Sequence, residues 1–126
     1  MIKPARTADE DHPIPVAAMG AWVVVTVAGK VIACTAKALM LDESSGGRVY
    51  YIPRRDVDMA LLKRSKRVTH DPKMGDCAYY SIPAGGARSR DAAWSFETPR
   101  QGTAAITDYL AFAPNRVDAI LEWPAD

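Results

Sequence analysis

The stretch Ala-Trp-Val-Val-Val-Thr-Val over residues 21–27 constrains this chain more than any other segment, because five of its seven residues are β-branched. Two heavy atoms on Cβ crowd the preceding turn of a helix but fit a pleated strand. The alternating sets Trp22/Val24/Thr26 and Val23/Val25/Val27 are both largely apolar, so this strand is expected to be covered on both faces. Ala28-Gly29-Lys30 then turns the chain and residues 31–34 return, which reads as a hairpin closed around Gly29.

The same reasoning extends along the chain. Residues 38–41 and 48–52 read as strands separated by the Ser44-Ser45-Gly46-Gly47 loop, the second stopped by Pro53, which has no N–H to give to a ladder. Residues 56–62 carry helix formers behind an acidic start and are expected to make one or two helical turns. Residues 69–76, with Pro72 and Gly75, read as a loop between β elements. Strands are expected over 78–82 and 91–97, the second with Ala92, Trp94 and Phe96 on its buried face. Ile106, Tyr109, Leu110 and Ala113 fall at i, i+3, i+4 and i+7, so residues 103–112 are expected to form an amphipathic C-terminal helix. A closing strand follows, with Ala119, Leu121 and Trp123 facing in and Ile120 out of pattern.

The fold class is therefore mainly β (α+β), one short helix and one C-terminal helix lying on antiparallel sheets. Residues 1–11 are charged and small and read as a flexible N-terminal arm, with a single domain over 12–126. In His12-Pro13-Ile14-Pro15-Val16 each residue before a proline is pushed to extended geometry, so this segment is expected along a sheet edge.

Sixteen basic against fifteen acidic side chains leave no global field for nucleic acid or an anionic membrane. No apolar run approaches the ~20 residues of a spanning helix, and no secretory leader is visible. The chain is expected to be cytoplasmic, with Cys34 and Cys77 reduced and no cofactor or metal.

Laid out in this way, the sequence resembles the small bacterial family known as domain of unknown function 427, sometimes labelled nucleotidyltransferase-like. The resemblance runs nearly end to end. It is carried by His12-Pro13-Ile14, Gly29 with Ile32-Ala33, Tyr51-Ile52-Pro53-Arg54-x-Asp56-Val57, Pro72-x-x-Gly75-Asp76-x-Ala78-Tyr79-Tyr80-Ser81, Trp94-x-Phe96-x-x-Pro99, and Arg116-Val117. It implies curved antiparallel sheets of the β-tent or Mss4-like kind. Three positions in two segments depart from the family pattern. Asp71-Pro72-Lys73-Met74-Gly75 stands where that pattern reads Cys-Pro-x-Lys-Gly, and Cys34 replaces an acid.

The candidate site draws on three segments. His70 would pass a proton if a carboxylate such as Asp71 oriented it, while Lys73 and Arg54 would anchor an anion. Tyr51, Tyr80 and Trp94 would line an aromatic cleft for a planar body. Asp56-Val57-Asp58 superficially looks like a magnesium-holding carboxylate pair, but without a Gly-rich phosphate cradle helix capping explains it better. The run Lys63-Arg64-Ser65-Lys66-Arg67 lacks companion stacking aromatics and reads as a solvated helix end rather than a nucleic-acid surface.

The leading expectation is a domain that binds a small anionic or planar ligand, or a vestigial or unusual enzyme. The alternative is a non-enzymatic interaction module that self-associates as a homodimer through a sheet face or the 12–16 edge.

Overall fold

A computed structural model describes residues 16–18, 20–43, 47–72, 74–98 and 105–124. The expected arm, most of the 12–16 segment, Lys73 and the loop at 44–46 lie outside the described residues. Among the described residues, ten strands form three antiparallel sheets. The first has the order β1 (Val16–Ala18), β4 (Leu39–Glu43), β5 (Gly47–Tyr51), and the second β10 (Ala119–Pro124), β2 (Ala21–Val27), β3 (Lys30–Thr35). The third runs β6 (Lys63–Asp71), β7 (Gly75–Ser81), β8 (Ala93–Ser95), β9 (Ala111–Phe112). Val16 begins an edge strand, paired with Leu41.

The 21–27 run is the centre of the second sheet, with Val23, Val25 and Val27 at most 1% exposed. Its hairpin turns at Ala28 and Gly29, both with positive φ (52° and 77°), the conformation that matches the twist of two paired strands. On the outer face Trp22 is 40% exposed and Thr26 is half-buried while Val24 is buried at 9%, so the second face of this strand is only partly covered.

Short connections bind the sheets together. Ile52 and Leu110 exchange both backbone hydrogen bonds at 2.8 Å, stitching the end of β5 to the approach of β9. The amide of Asp58 donates to Ile32 O at 2.8 Å, and Thr35 Oγ1 donates to Asp56 Oδ2 at 2.7 Å, fixing the 54–61 segment against β3. The helical turns expected there are two 3-10 turns, Arg54–Asp56 and Met59–Leu61, with no side-chain cap from Asp58. One core, containing Val23, Ile32, Ile52, Tyr80 and Leu110, lies under the second sheet; a second, containing Leu41, Tyr51, Met74, Cys77 and Phe96, lies between the first and third.

Four expectations are corrected. The described part of 103–112 is no α-helix: residues 105–106 make a 3-10 turn, the chain reverses at Asp108 (φ 68°), and Ala111–Phe112 is a strand. The basic run is the first half of β6, held opposite β7 through Lys63↔Ser81 and Arg64↔Tyr80. Residues 69–71 and 75–76 belong to that same hairpin, which shrinks the expected loop to its tip. On β10 the faces are reversed: Ile120 packs on the core, whereas Leu121 and Trp123 are 45% and 47% exposed.

Candidate functional site

A pocket of about 480 Å³ opens where the three sheets meet, a size suited to a small organic molecule. The first sheet contributes Arg48, Val49 and Tyr50, the second Val25 and Ile120, and the third Trp94 and Phe112. Alternation along β5 sends Arg48 and Tyr50 to the same face. The Tyr50 hydroxyl donates to Glu122 Oε1 at 2.8 Å, and that bond, then burial, raises its pKa, so the phenol stays protonated. The Trp94 indole donates from Nε1 to the hydroxyl of fully buried Tyr51 at 3.2 Å, which fixes the ring that forms one wall. The surface is mostly hydrocarbon and indole with a single guanidinium, so it favours a compact apolar or planar body bearing one negative group.

A second constellation centres on Tyr80. Its hydroxyl donates to Glu97 Oε2 at 2.6 Å. Arg64 grips the same carboxylate with Nη2 to Oε1 at 3.1 Å and Nη1 to Oε2 at 3.2 Å. Arg54 adds Nη2 to Oε2 at 3.2 Å, Nη2 to Ser95 Oγ at 3.3 Å and Nε to the Asp108 carbonyl at 3.1 Å. Both guanidinium carbons sit over the Tyr80 ring, 5.7 and 5.6 Å from its centroid. Burial pushes the Glu97 carboxyl up, but hydrogen bonds from Tyr80 and Arg64 and the two arginine charges outweigh it, and the net shift is downward from 4.5. Glu97 already occupies the space between the two cations, so the cluster is a closed clasp joining β6, β8 and the Arg54 turn.

A pKa held below its unfolded value adds stability above that value and loses it as pH falls through the folded one. Unfolding midpoints in urea should therefore stay level from neutrality to about pH 4.5 and then fall. In Glu97→Gln the acid-side fall should be shallower, and parallel curves for the two proteins would refute this role.

The remaining sequence candidates lie elsewhere. His70 Nδ1 and Asp76 Oδ1 are 2.9 Å apart across the hairpin, with side chains 62% and 69% exposed. Asp71 Oδ1 accepts the Met74 amide at 3.1 Å and shapes the hairpin tip, while Met74 itself is buried in the second core. The structure thus brings Arg54 to Tyr80 and Tyr51 to Trp94, but places neither Arg54 nor His70 among the pocket-lining residues. Sequence reasoning missed Arg48, Ile120, Arg64 and Glu97. Trp94 was recognised as a cleft residue and does line the pocket; of the missed residues, Ile120 was signalled by its off-pattern place on the closing strand, and Arg64 opposite Tyr80 becomes visible only with the strand register.

Among the described residues no three His, Cys, Asp or Glu side chains gather at a metal-binding spacing. Among them no helix is long and apolar enough to cross a membrane. The family model described as "Domain of unknown function (DUF427)" matches residues 16–122. No curated protein matches.

Proposed function

Since the chain belongs to the family of the domain of unknown function (DUF427), whose description assigns no activity, we propose from its own residues that it is a small-ligand-binding domain for an amphiphilic anion. The observation that carries this reading is the pocket of about 480 Å³ at the junction of the three sheets, with Arg48 as the cation of its lining. Arg48, which also interacts with the Tyr50 phenol, replaces Arg54 in the anchoring role because it lines the pocket, whereas the Arg54 guanidinium lies outside it, engaged by Glu97, Ser95, Tyr80 and Asp108. Trp94, held by Tyr51, supplies the planar wall. Among the described residues the lining holds no Ser, Cys, His or carboxylate, which favours binding over turnover.

Two finer assignments belong to the same proposal. The three sheets converging on one pocket support the β-tent or Mss4-like type. The free thiols of exposed Cys34 and buried Cys77 support a reducing, cytoplasmic setting.

The test is a thermal-shift series with 2-naphthoate, dodecanoate, neutral 2-naphthalenemethanol and acetate. A ligand that binds only the folded chain at a hundredfold excess over Kd adds about 2.7 kcal/mol, so the first two should raise Tm and acetate should not. Arg48→Gln should weaken the carboxylates about tenfold, the worth of one charge-assisted hydrogen bond, and leave the alcohol unchanged. No shift with any amphiphile at millimolar concentration would end the reading.

A further inference from the structure

The second sheet turns an outer face to solvent that carries no charge. In register across β10, β2 and β3 it comprises three rows: Trp123–Trp22, then Leu121–Val24–Cys34, then Ala119–Thr26–Val31. Trp22, Trp123, Leu121 and Val31 are 40%, 47%, 45% and 55% exposed, and Cys34 is exposed. Neighbouring charged residues point elsewhere: Glu122 turns to Tyr50, Asp118 is bound at the hairpin end by the Gly29 amide and Arg88, and Lys30 pairs with Val27 on the opposite face of β3 from Val31. Exposed tryptophans are among the residues that interfaces concentrate, and contiguous exposed apolar side chains mark interaction sites.

We propose that this face pairs with the same face of a second copy of the chain, across a two-fold axis lying along the Leu121–Val24–Cys34 row. Two features of the face select a copy of itself as the occupant. A face without charges meets itself without like-charge repulsion, and it offers nothing to a charged partner. The rows are also graded in size. Rotation about the middle row sets the two indoles of one copy over the small Ala119–Thr26–Val31 row of the other, and the reciprocal contact forms at the same time, as an isologous interface requires. Two half-exposed indoles with Leu121 and Val31 offer on the order of 400 Å² of apolar surface per copy. About 800 Å² in total, with a polar rim, falls in the range of weak interfaces. The pair is therefore a weak, reversible dimer. The pocket opens on the inner side of β10 and β2, so the pairing is independent of ligand binding.

Sedimentation equilibrium from 10 to 500 µM tests this on the full chain. The wild type should show concentration-dependent dimer. Leu121→Lys, which adds a charge at an already exposed position, should raise Kd at least tenfold while leaving the melting curve of the monomer unchanged. The axis sets Cys34 opposite the partner's copy of itself, so a short bis-maleimide should join two chains by adding each Cys34 thiol across one maleimide double bond. That product should vanish in Cys34→Ser and persist in Cys77→Ser, whose thiol is buried. A chain monomeric at 500 µM, or a dimer indifferent to Leu121→Lys, would overturn the proposal, as would a monomer that floats with lipid vesicles through this face. A dimer lost in Leu121→Lys yet never linked through Cys34 would overturn the axis.

Discussion

Leu110→Ala should cost about 3 kcal/mol, within the 2–5 kcal/mol that deletion of a fully buried leucine removes through lost transfer energy and an unfilled cavity. Leu110 is 0% exposed and packs in the core beneath the second sheet, while its backbone exchanges two hydrogen bonds with Ile52. The substitution keeps those backbone bonds, so it isolates the side chain. For a domain whose total stability is about 5–15 kcal/mol, such a loss is a large share. Urea unfolding should show a lower midpoint at unchanged slope. A cost under ~1 kcal/mol would mean that this stitch between sheets is not packed as described.

Gly85→Ala should be of similar size for the opposite reason, an added atom with nowhere to go. Gly85 lies in the 3-10 segment Pro83–Ser89 that joins β7 to β8. A Cβ there would overlap the Ser89 side chain and stand 2.8 Å from Val27 Cγ1. Ser89 cannot simply rotate away, because its hydroxyl donates to the Arg116 carbonyl at 2.7 Å and its side chain is buried. Val27 is equally fixed, at 1% exposure. Overpacking of this kind costs about 1–3 kcal/mol and sometimes more, and the lost Ser89 bond adds about 1 kcal/mol. The expected total is about 3 kcal/mol by the same urea assay. Gly86 has open space around its would-be Cβ, but its φ of 63° and ψ of −147° fall in a region that is essentially glycine's alone, so the same substitution there should cost about 1–3 kcal/mol through backbone strain without a steric clash.

What the sequence revealed depended on how local the cause was. The 21–27 strand and the Gly29 hairpin were legible because β-branching and a two-residue turn act within a few residues. The spacing of Ile106, Tyr109 and Leu110 identified residues that are indeed buried or half-buried, but misassigned their geometry. The turn at Asp108 reverses the chain between them, so a helical period arose from two separate insertions into the core. β6 was hidden because an edge strand has one neighbour and keeps its polar side chains in water, and lysine and arginine guard such edges against stray pairing. Leu121 and Trp123 were read as inward because apolar residues usually are; their exposure is visible only once Ile120 is seen facing the core.

The candidate site was legible in parts for the same reason. Tyr51, Tyr80, Arg54 and Trp94 were recognised by residue type, and each makes a polar contact with another of the set. Their grouping into two separate places rests on register: Tyr79 pairs with Trp94 on one face of the third sheet, and Tyr80 with Ala93 on the other. Glu97, the residue that closes the arginine clasp, lies just past β8, and the two arginines it holds come from 33 and 43 residues away in sequence.

The most direct measurement of the central claim is methyl NMR on isoleucine-labelled protein titrated with 2-naphthoate. Ile52 and Ile120 line the pocket, whereas Ile82 and Ile106 are buried away from it. Binding at the three-sheet junction predicts saturable shifts of the Ile52 and Ile120 methyls with those of Ile82 and Ile106 nearly still, and a weaker titration in Arg48→Gln. Methyls that stay unmoved at millimolar naphthoate, or shifts centred on Ile82 and Ile106, would contradict it.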